Sequence, residues 1–253
     1  MQKHIADTLG EVAGSIIAIN PTGWPEFKKH VYTLFQDANI SSNLAAFYIL
    51  ESFFAFSPEY FKEDSNDLYA LFKNSFCHEN EKLKLAAMRS FSSYLGALET
   101  KKHKQFEDII LPLFEAIFSL LKKHNNEEGL EILSEMIDIE PKFFKKRFKE
   151  LNELLQNVFK LKDIESGVKR MTTEILVDYA EKYPALYRKK KDVLTNVIQM
   201  IFHHMVEIDE DVQQDWMCPT EGYNEDMEDD DDFETTRFGM GAIDRLIYSV
   251  GEE

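Results

Sequence analysis

The sequence predicts an all-α chain assembled from repeated helix pairs. Two observations carry this: apolar residues recur at spacings of three and four along almost the whole chain, and a Pro-aromatic-basic turn returns at a near-constant interval. Alternation at period two, the mark of half-buried strands, is scarce, so little or no sheet is expected.

In chain order, helices are expected near 2–18, 25–37, 41–57, 64–76, 80–97, 103–123, 126–138, 143–159, 164–182, 187–206 and 238–250. The second opens at Pro25, where a fixed φ and a missing N–H suit a first helical turn. The third and fifth begin with small residues, at Leu44-Ala45-Ala46 and Leu85-Ala86-Ala87, which let helices approach closely; Gly167 is a looser version in the ninth. The sixth carries a wide stripe of Phe106, Ile109, Ile110, Leu113, Phe114, Ile117, Phe118 and Leu121, and Pro112 is expected to kink it. Ile164, Val168, Met171, Ile175, Leu176 and Tyr179 form the stripe of the ninth helix, and Val193, Leu194, Val197, Ile198, Ile201 and Met205 that of the tenth. Phe53, Phe54 and Phe56 are assigned to the core.

The turn motif reads Ser57-Pro58-Glu59-Tyr60-Phe61-Lys62, Glu140-Pro141-Lys142-Phe143-Phe144-Lys145 and Tyr183-Pro184-Ala185-Leu186-Tyr187-Arg188. The prolines lie 83 and 43 residues apart, so a missing copy belongs near Thr100, where Glu99-Thr100-Lys101-Lys102 supplies a turn without proline. Trp24-Pro25-Glu26-Phe27-Lys28 is an earlier copy at a shorter step. A period of two helices in a little over forty residues is the length of a HEAT repeat. The expected fold is therefore a right-handed α-solenoid of five to six HEAT-type pairs over residues 1–253, with second helices lining a concave side. The chain opens directly in a helix and stops three residues after Val250 without polar capping repeats, so it is expected to be a piece from inside a longer array.

Charge is distributed unevenly. The 253 residues hold 46 acidic and 29 basic side chains, a formal net charge of −17. Fourteen of the acidic residues fall between 207 and 236, where there is no Lys or Arg, so a near-neutral body carries one acidic segment. Pro219 and Gly222 mark that segment as a loop within the last helix pair. No run approaches the ~18 apolar residues needed to span a bilayer, and the first residues lack the basic and apolar regions of a signal peptide. Cys77 and Cys218 lie far apart outside any CxxC pattern, which fits a reducing compartment.

No motif offers catalysis: GxxxxGK, HExxH and GxSxG are absent and neither cysteine has a patterned histidine. No enzyme activity and no cofactor are expected. His203-His204 makes a poor chelate because adjacent helical residues point some 100° apart. Basic runs at Lys101-Lys102-His103-Lys104, Lys145-Lys146-Arg147 and Arg188-Lys189-Lys190-Lys191 lie at turns and early in helices, where solvated charge is usual, and net charge opposes nucleic acid.

An acidic loop inside one repeat, closed by Gly241-Ala242-Ile243-Asp244-Arg245-Leu246, resembles the importin-beta family of nuclear transport receptors. Trp216 within the acidic stretch and Asp230-Asp231-Asp232-Phe233 look most like its karyopherin beta-3 branch, also called Ran-binding protein 5. That resemblance implies a segment spanning roughly the third through eighth of about twenty repeats. It implies cargo with basic localisation signals, contact with Phe-Gly nucleoporins in a groove between neighbouring outer helices, and cargo release by Ran in its GTP form. A monomer shuttling between cytoplasm and nucleus, without membrane or nucleic-acid partners, follows. In the family the acidic loop contributes to Ran and cargo contacts, which maps here to Glu228, Asp229, Asp230, Asp231 and Asp232. The alternative is a passive HEAT scaffold subunit of a cytosolic complex, indifferent to nucleotide.

Overall fold

The computed structural model describes residues 2–20, 22, 24–162, 164–206 and 234–251. Every regular element among them is helical. Two compact units divide at Leu151.

The first unit, Met1–Leu151, begins with α1 (Gln2–Ile19), α2 (Pro25–Gln36) and α3 (Ile40–Phe54). A 3-10 helix, Pro58–Asp64, leads into α4 (Ser65–Phe76) and α5 (Glu81–Ala97). A second, Thr100–Ile109, leads into α6 (Ile110–His124) and α7 (Glu128–Ile139), and a third, Pro141–Arg147, into α8 (Phe148–Phe159). The second helices pack in sequence, α1 on α3, α3 on α5 and α5 on α7, while α4 packs on α6 in the other row. The second unit, Asn152–Glu253, holds the rest of α8 together with α9 (Ser166–Lys182), α10 (Pro184–Lys189), α11 (Lys191–Val206) and α12 (Glu234–Gly251).

The repeat seen in the sequence is a repeat of backbone conformation. Trp24, Ser57, Glu140 and Tyr183, each preceding a turn proline, share φ between −145° and −136° and ψ between 58° and 70°. Proline disfavours the α region for the residue before it, which here stops the incoming helix. In all four turns the N–H two residues after the proline closes back: Phe27, Tyr60, Phe143 and Leu186 donate to the Trp24, Ser57, Glu140 and Tyr183 carbonyls. The copy without proline also forms, since a 3-10 helix starts at Thr100. At the opposite edge, Asn39 and Asn80 cap α3 and α5 through side-chain oxygens that accept from the Ser41 and Leu83 N–H groups.

Phenylalanine is abundant because the rings form a seam through the first unit. Phe27 stacks on Phe53 at 4.9 Å, Phe53 meets Phe61 at 5.5 Å and Phe54 meets Tyr94 at 4.5 Å. Tyr94 then touches Phe106 at 5.5 Å, and Phe91 bridges Phe72 at 5.2 Å and Phe143 at 6.1 Å. Each such pair adds ~0.5–1.5 kcal/mol beyond the area it buries. Burial also pushes the Tyr94 hydroxyl up to about 12.

Several expectations need correction. The helices expected at 103–123 and 143–159 each begin as a 3-10 segment and turn α only at Ile110 and Phe148. Pro112 therefore sits in the first turn of α6, where no intrahelical donor is needed, and the expected kink is a change of helix type upstream of it. The helix expected at 187–206 is divided at Lys190. Phe53 and Phe54 are fully buried but Phe56, past the end of α3, is 49 % exposed. A Cβ on Gly167 would meet nothing within 4 Å, so it mediates no close approach. That role belongs to Gly10 and Gly14 of α1, where a Cβ would lie 2.3 Å from the Ile49 carbonyl oxygen and 2.8 Å from Phe56 Cβ.

Candidate binding site

The residues following the acidic segment are built into a tether. Glu234, Thr235 and Thr236, expected as the end of the loop, are instead the first residues of α12. An acidic residue there complements the helix macrodipole, and Glu234 also accepts an ion pair from Arg170 at 2.7 Å. Gly239 lets α12 lie against α11, because a Cβ would come 2.7 Å from Met205 Cγ. Ala242, Leu246 and Val250 bury the same face at helical spacing.

On its other side α12 projects Arg245 onto α9. Glu174, Asp178 and Glu181 recur at four and three residues, so they share one helical face. Arg245 Nε donates to Glu181 at 2.8 Å and Nη1 to Glu174 at 2.5 Å, and Nη2 donates to Asp178 and Glu181. The guanidinium is held protonated well above its ordinary range, chiefly by the hydrogen bond to Glu181. The same bond holds the Glu181 carboxyl below its usual value. Beside this clamp a cavity of about 480 Å³ opens between α9 and α12, lined by Arg170, Met171, Glu174, Phe238, Gly241 and Ala242. A Cβ on Gly241 would meet nothing within 4 Å, so packing does not require a glycine there.

A second concavity, about 670 Å³, lies in the first unit between α2 and α4, the first helices of neighbouring repeats. Tyr32 and Phe35 from α2 face Ala70 and Leu71 from α4 across it. Lys28 closes one end by pairing with Asp64 at 2.5 Å and lying 4.7 Å over the Tyr60 ring. The Tyr32 hydroxyl is buried without a hydrogen-bond partner, and burial raises it above its ordinary value.

On the second-helix row of the first unit, Arg89 of α5 pairs with Glu128 of α7 at 2.5 Å. Glu51 of α3 is raised by burial, an effect only partly offset by Lys3 and Arg89. Its Oε2 is buried without a partner.

Glu228, Asp229, Asp230, Asp231 and Asp232, the expected contact residues, lie outside the described residues, as do Trp216 and Cys218. His203 and His204 diverge: His204 is buried with Nε2 3.0 Å from Thr173 Oγ1, while His203 is exposed against the Phe159 ring. The Arg245 clamp escaped sequence reasoning, although the spacing of Glu174, Asp178 and Glu181 was the signal that could have found it.

A stack of helix pairs presenting grooves and charged helix faces defines a helical-repeat protein of the HEAT type. A family model described as "IPO5-like, TPR repeats" matches residues 1–154, and one described as "Importin repeat" matches residues 161–253. The chain belongs to the IPO5-like importin family. Its repeat of a little over forty residues exceeds the 34 of a TPR unit and fits HEAT geometry. Importin subunit beta-3 of Saccharomyces cerevisiae is 21 % identical over 255 residues, covering 98 % of this chain and 22 % of the relative. The chain thus spans about a fifth of that relative's length. Among solved structures, Kap121p superposes with a TM-score of 0.76 at 21 % identity, covering 90 % of this chain and 22 % of that one. Kap121p bound to RanGTP gives 0.71 at 20 % identity over 90 % of this chain and 21 % of that one. Kap121p bound to Nup53p gives 0.75 at 20 % over 90 % and 22 %.

Proposed function

We propose that this chain is part of a nuclear import receptor that shuttles between cytoplasm and nucleus, binding cargo with basic localisation signals, Phe-Gly nucleoporins and Ran in its GTP form. Family membership over the first 154 residues is the observation that carries this reading. The turn proline period from Pro141 to Pro184 carries the repeat from the first unit into the sequence of the second, which supports repeats of one type in both. In this reading Glu228, Asp229, Asp230, Asp231 and Asp232 attract basic cargo and Ran. Clustered carboxylates raise association rates with basic surfaces, and their effect falls with salt because the Debye length is only about 8 Å at physiological ionic strength. The α2–α4 groove receives the Phe side chain of a nucleoporin repeat between Phe35 and Leu71.

The test is a fluorescence titration of this chain with a lysine-rich signal peptide, repeated with Ran·GTP and with Ran·GDP. Binding that is displaced by Ran·GTP alone, and weakened when Asp229 to Asp232 are changed to Asn, is expected. Binding indifferent to the nucleotide would leave a passive scaffold as the better account. In the same assay Leu71→Asp should abolish capture of a Phe-Gly peptide while leaving the lysine-rich peptide unaffected; retained capture removes the groove from the proposal.

A further inference from the structure

We infer that the turn edge formed by the second and third 3-10 helices of the first unit is a docking strip for an acidic, extended polypeptide segment. Thr100–Ile109 and Pro141–Arg147 lie side by side, joined by Lys146 to Glu107 at 2.8 Å and Arg147 to Asp108 at 3.4 Å. Lys102 reaches back to Glu59 on the preceding turn at 2.6 Å. These bridges account for part of the basic runs that the sequence places at each turn: they staple one repeat to the next.

The bridges also consume the carboxylates. Glu107, Asp108 and Glu150 are all paired with Lys146 or Arg147, and Glu140 faces His103 at 3.9 Å. Exposed Lys101, Lys104 and Lys142 form no ion pair among the described residues. Glu99 is the one acidic side chain these two turns leave unpaired. Lys101 and Lys142 occupy the same second position of their 3-10 helices, so the excess charge repeats in register.

Helix stability does not call for this arrangement. Cations are favoured at helix C-termini and disfavoured in the opening turns, where these lysines stand ahead of α6 and α8. Most of the net charge of −17 is carried by residues 207–236, so the rest of the chain is near neutral and an edge with unpaired lysines in successive repeats attracts an acidic partner locally. Successive packed helices lie ~10 Å apart, a step that about three extended residues span, so a run of Asp or Glu can follow the strip from one repeat to the next.

The probe is fluorescein-labelled octaglutamate, titrated against the full chain by anisotropy, with a Gly-Ser octapeptide as reference. Octaglutamate should bind, weaken steeply with added salt, and lose about tenfold in affinity in a K101E/K104E/K142E variant. A K73E/K122E/K123E variant, at the C-terminal ends of α4 and α6 and so at the far end of those helices from the 3-10 turns, should bind as the wild type does. The K101Q/K104Q/K142Q variant should show a smaller loss and decides the matter if the charge-reversed protein does not fold, as judged by circular dichroism. Octaglutamate binding no better than the Gly-Ser peptide, or an equal loss in both triple variants, overturns the proposal. So does a duplex oligonucleotide that displaces octaglutamate at lower concentration than unlabelled octaglutamate itself, which would make the strip a nucleic-acid surface.

Discussion

Arg245 meets three carboxylates from a single neighbouring helix, and it does so near the protein surface, where ion pairs are individually weak. Its strength lies in geometry: the planar guanidinium offers five donors in a fixed fork, which Glu174, Asp178 and Glu181 engage from three heights on α9. Arg245→Ala should cost about 1–2 kcal/mol and lower the Tm by a few degrees, and Arg245→Lys should recover less than half of that loss, read by thermal melting. Glu51 shows the opposite case, a carboxylate whose charged form is disfavoured by burial. Its folded-state value lies above the ordinary 4.5, so its contribution to stability is present below pH 4.5 and is lost as pH rises through the raised value. Glu51→Gln should therefore raise stability at pH 7 by up to about 1 kcal/mol, and the gain should shrink as the pH falls toward 4.5. Melting curves of both proteins across that range check the sign.

Helix placement in this chain is decided by where a backbone can approach another. Gly10 and Gly14 lie one turn apart on α1, and Ser57 adds a buried hydrogen bond from its hydroxyl to the Gly14 carbonyl at 2.8 Å. Gly10→Ala should cost about 1–3 kcal/mol, because its Cβ would meet a backbone oxygen that cannot swing aside. Gly241→Ala should do the reverse and stabilise by up to about 1 kcal/mol, since it removes a helix-interior glycine into open space. Urea midpoints of the two variants, compared with the parent chain, separate a packing glycine from one that packing does not need. The sequence shows both only as glycines inside helical patterns. Their difference lies in the neighbour across the interface, which no local periodicity encodes.

At the scale of the first unit, each helix pair packs chiefly on the next, so stability is close to a sum of local terms and opening is graded. In the first unit α3 and α5 have second helices packed on both sides, whereas α1 packs chiefly on α3 and leaves Ile5, Val12, Ile16 and Ile19 exposed. Hydrogen exchange should accordingly run fastest in α1 and slowest in α3 and α5, followed by mass spectrometry of peptides from each helix. Uniform protection across the three would mean that the unit opens as one cooperative block.

The sequence by itself determined the helical class, the repeat period and the position of the proline turns, because these rest on local rules. Apolar spacing sets a helix face, and proline at 25, 58, 141 and 184 biases the residue before it away from the helical region. It also located the acidic segment and the family resemblance, which are properties of composition and motif. Only the tertiary structure decided that Arg245 closes on α9, that Phe56 faces solvent beside the buried Phe53 and Phe54, and that the α2–α4 groove is lined by Tyr32, Phe35 and Leu71. It also decided which lysines of the basic runs staple neighbouring turns and which stay unpaired. These are contacts between side chains some forty or more residues apart, and their distances follow from how one helix pair stacks on the next.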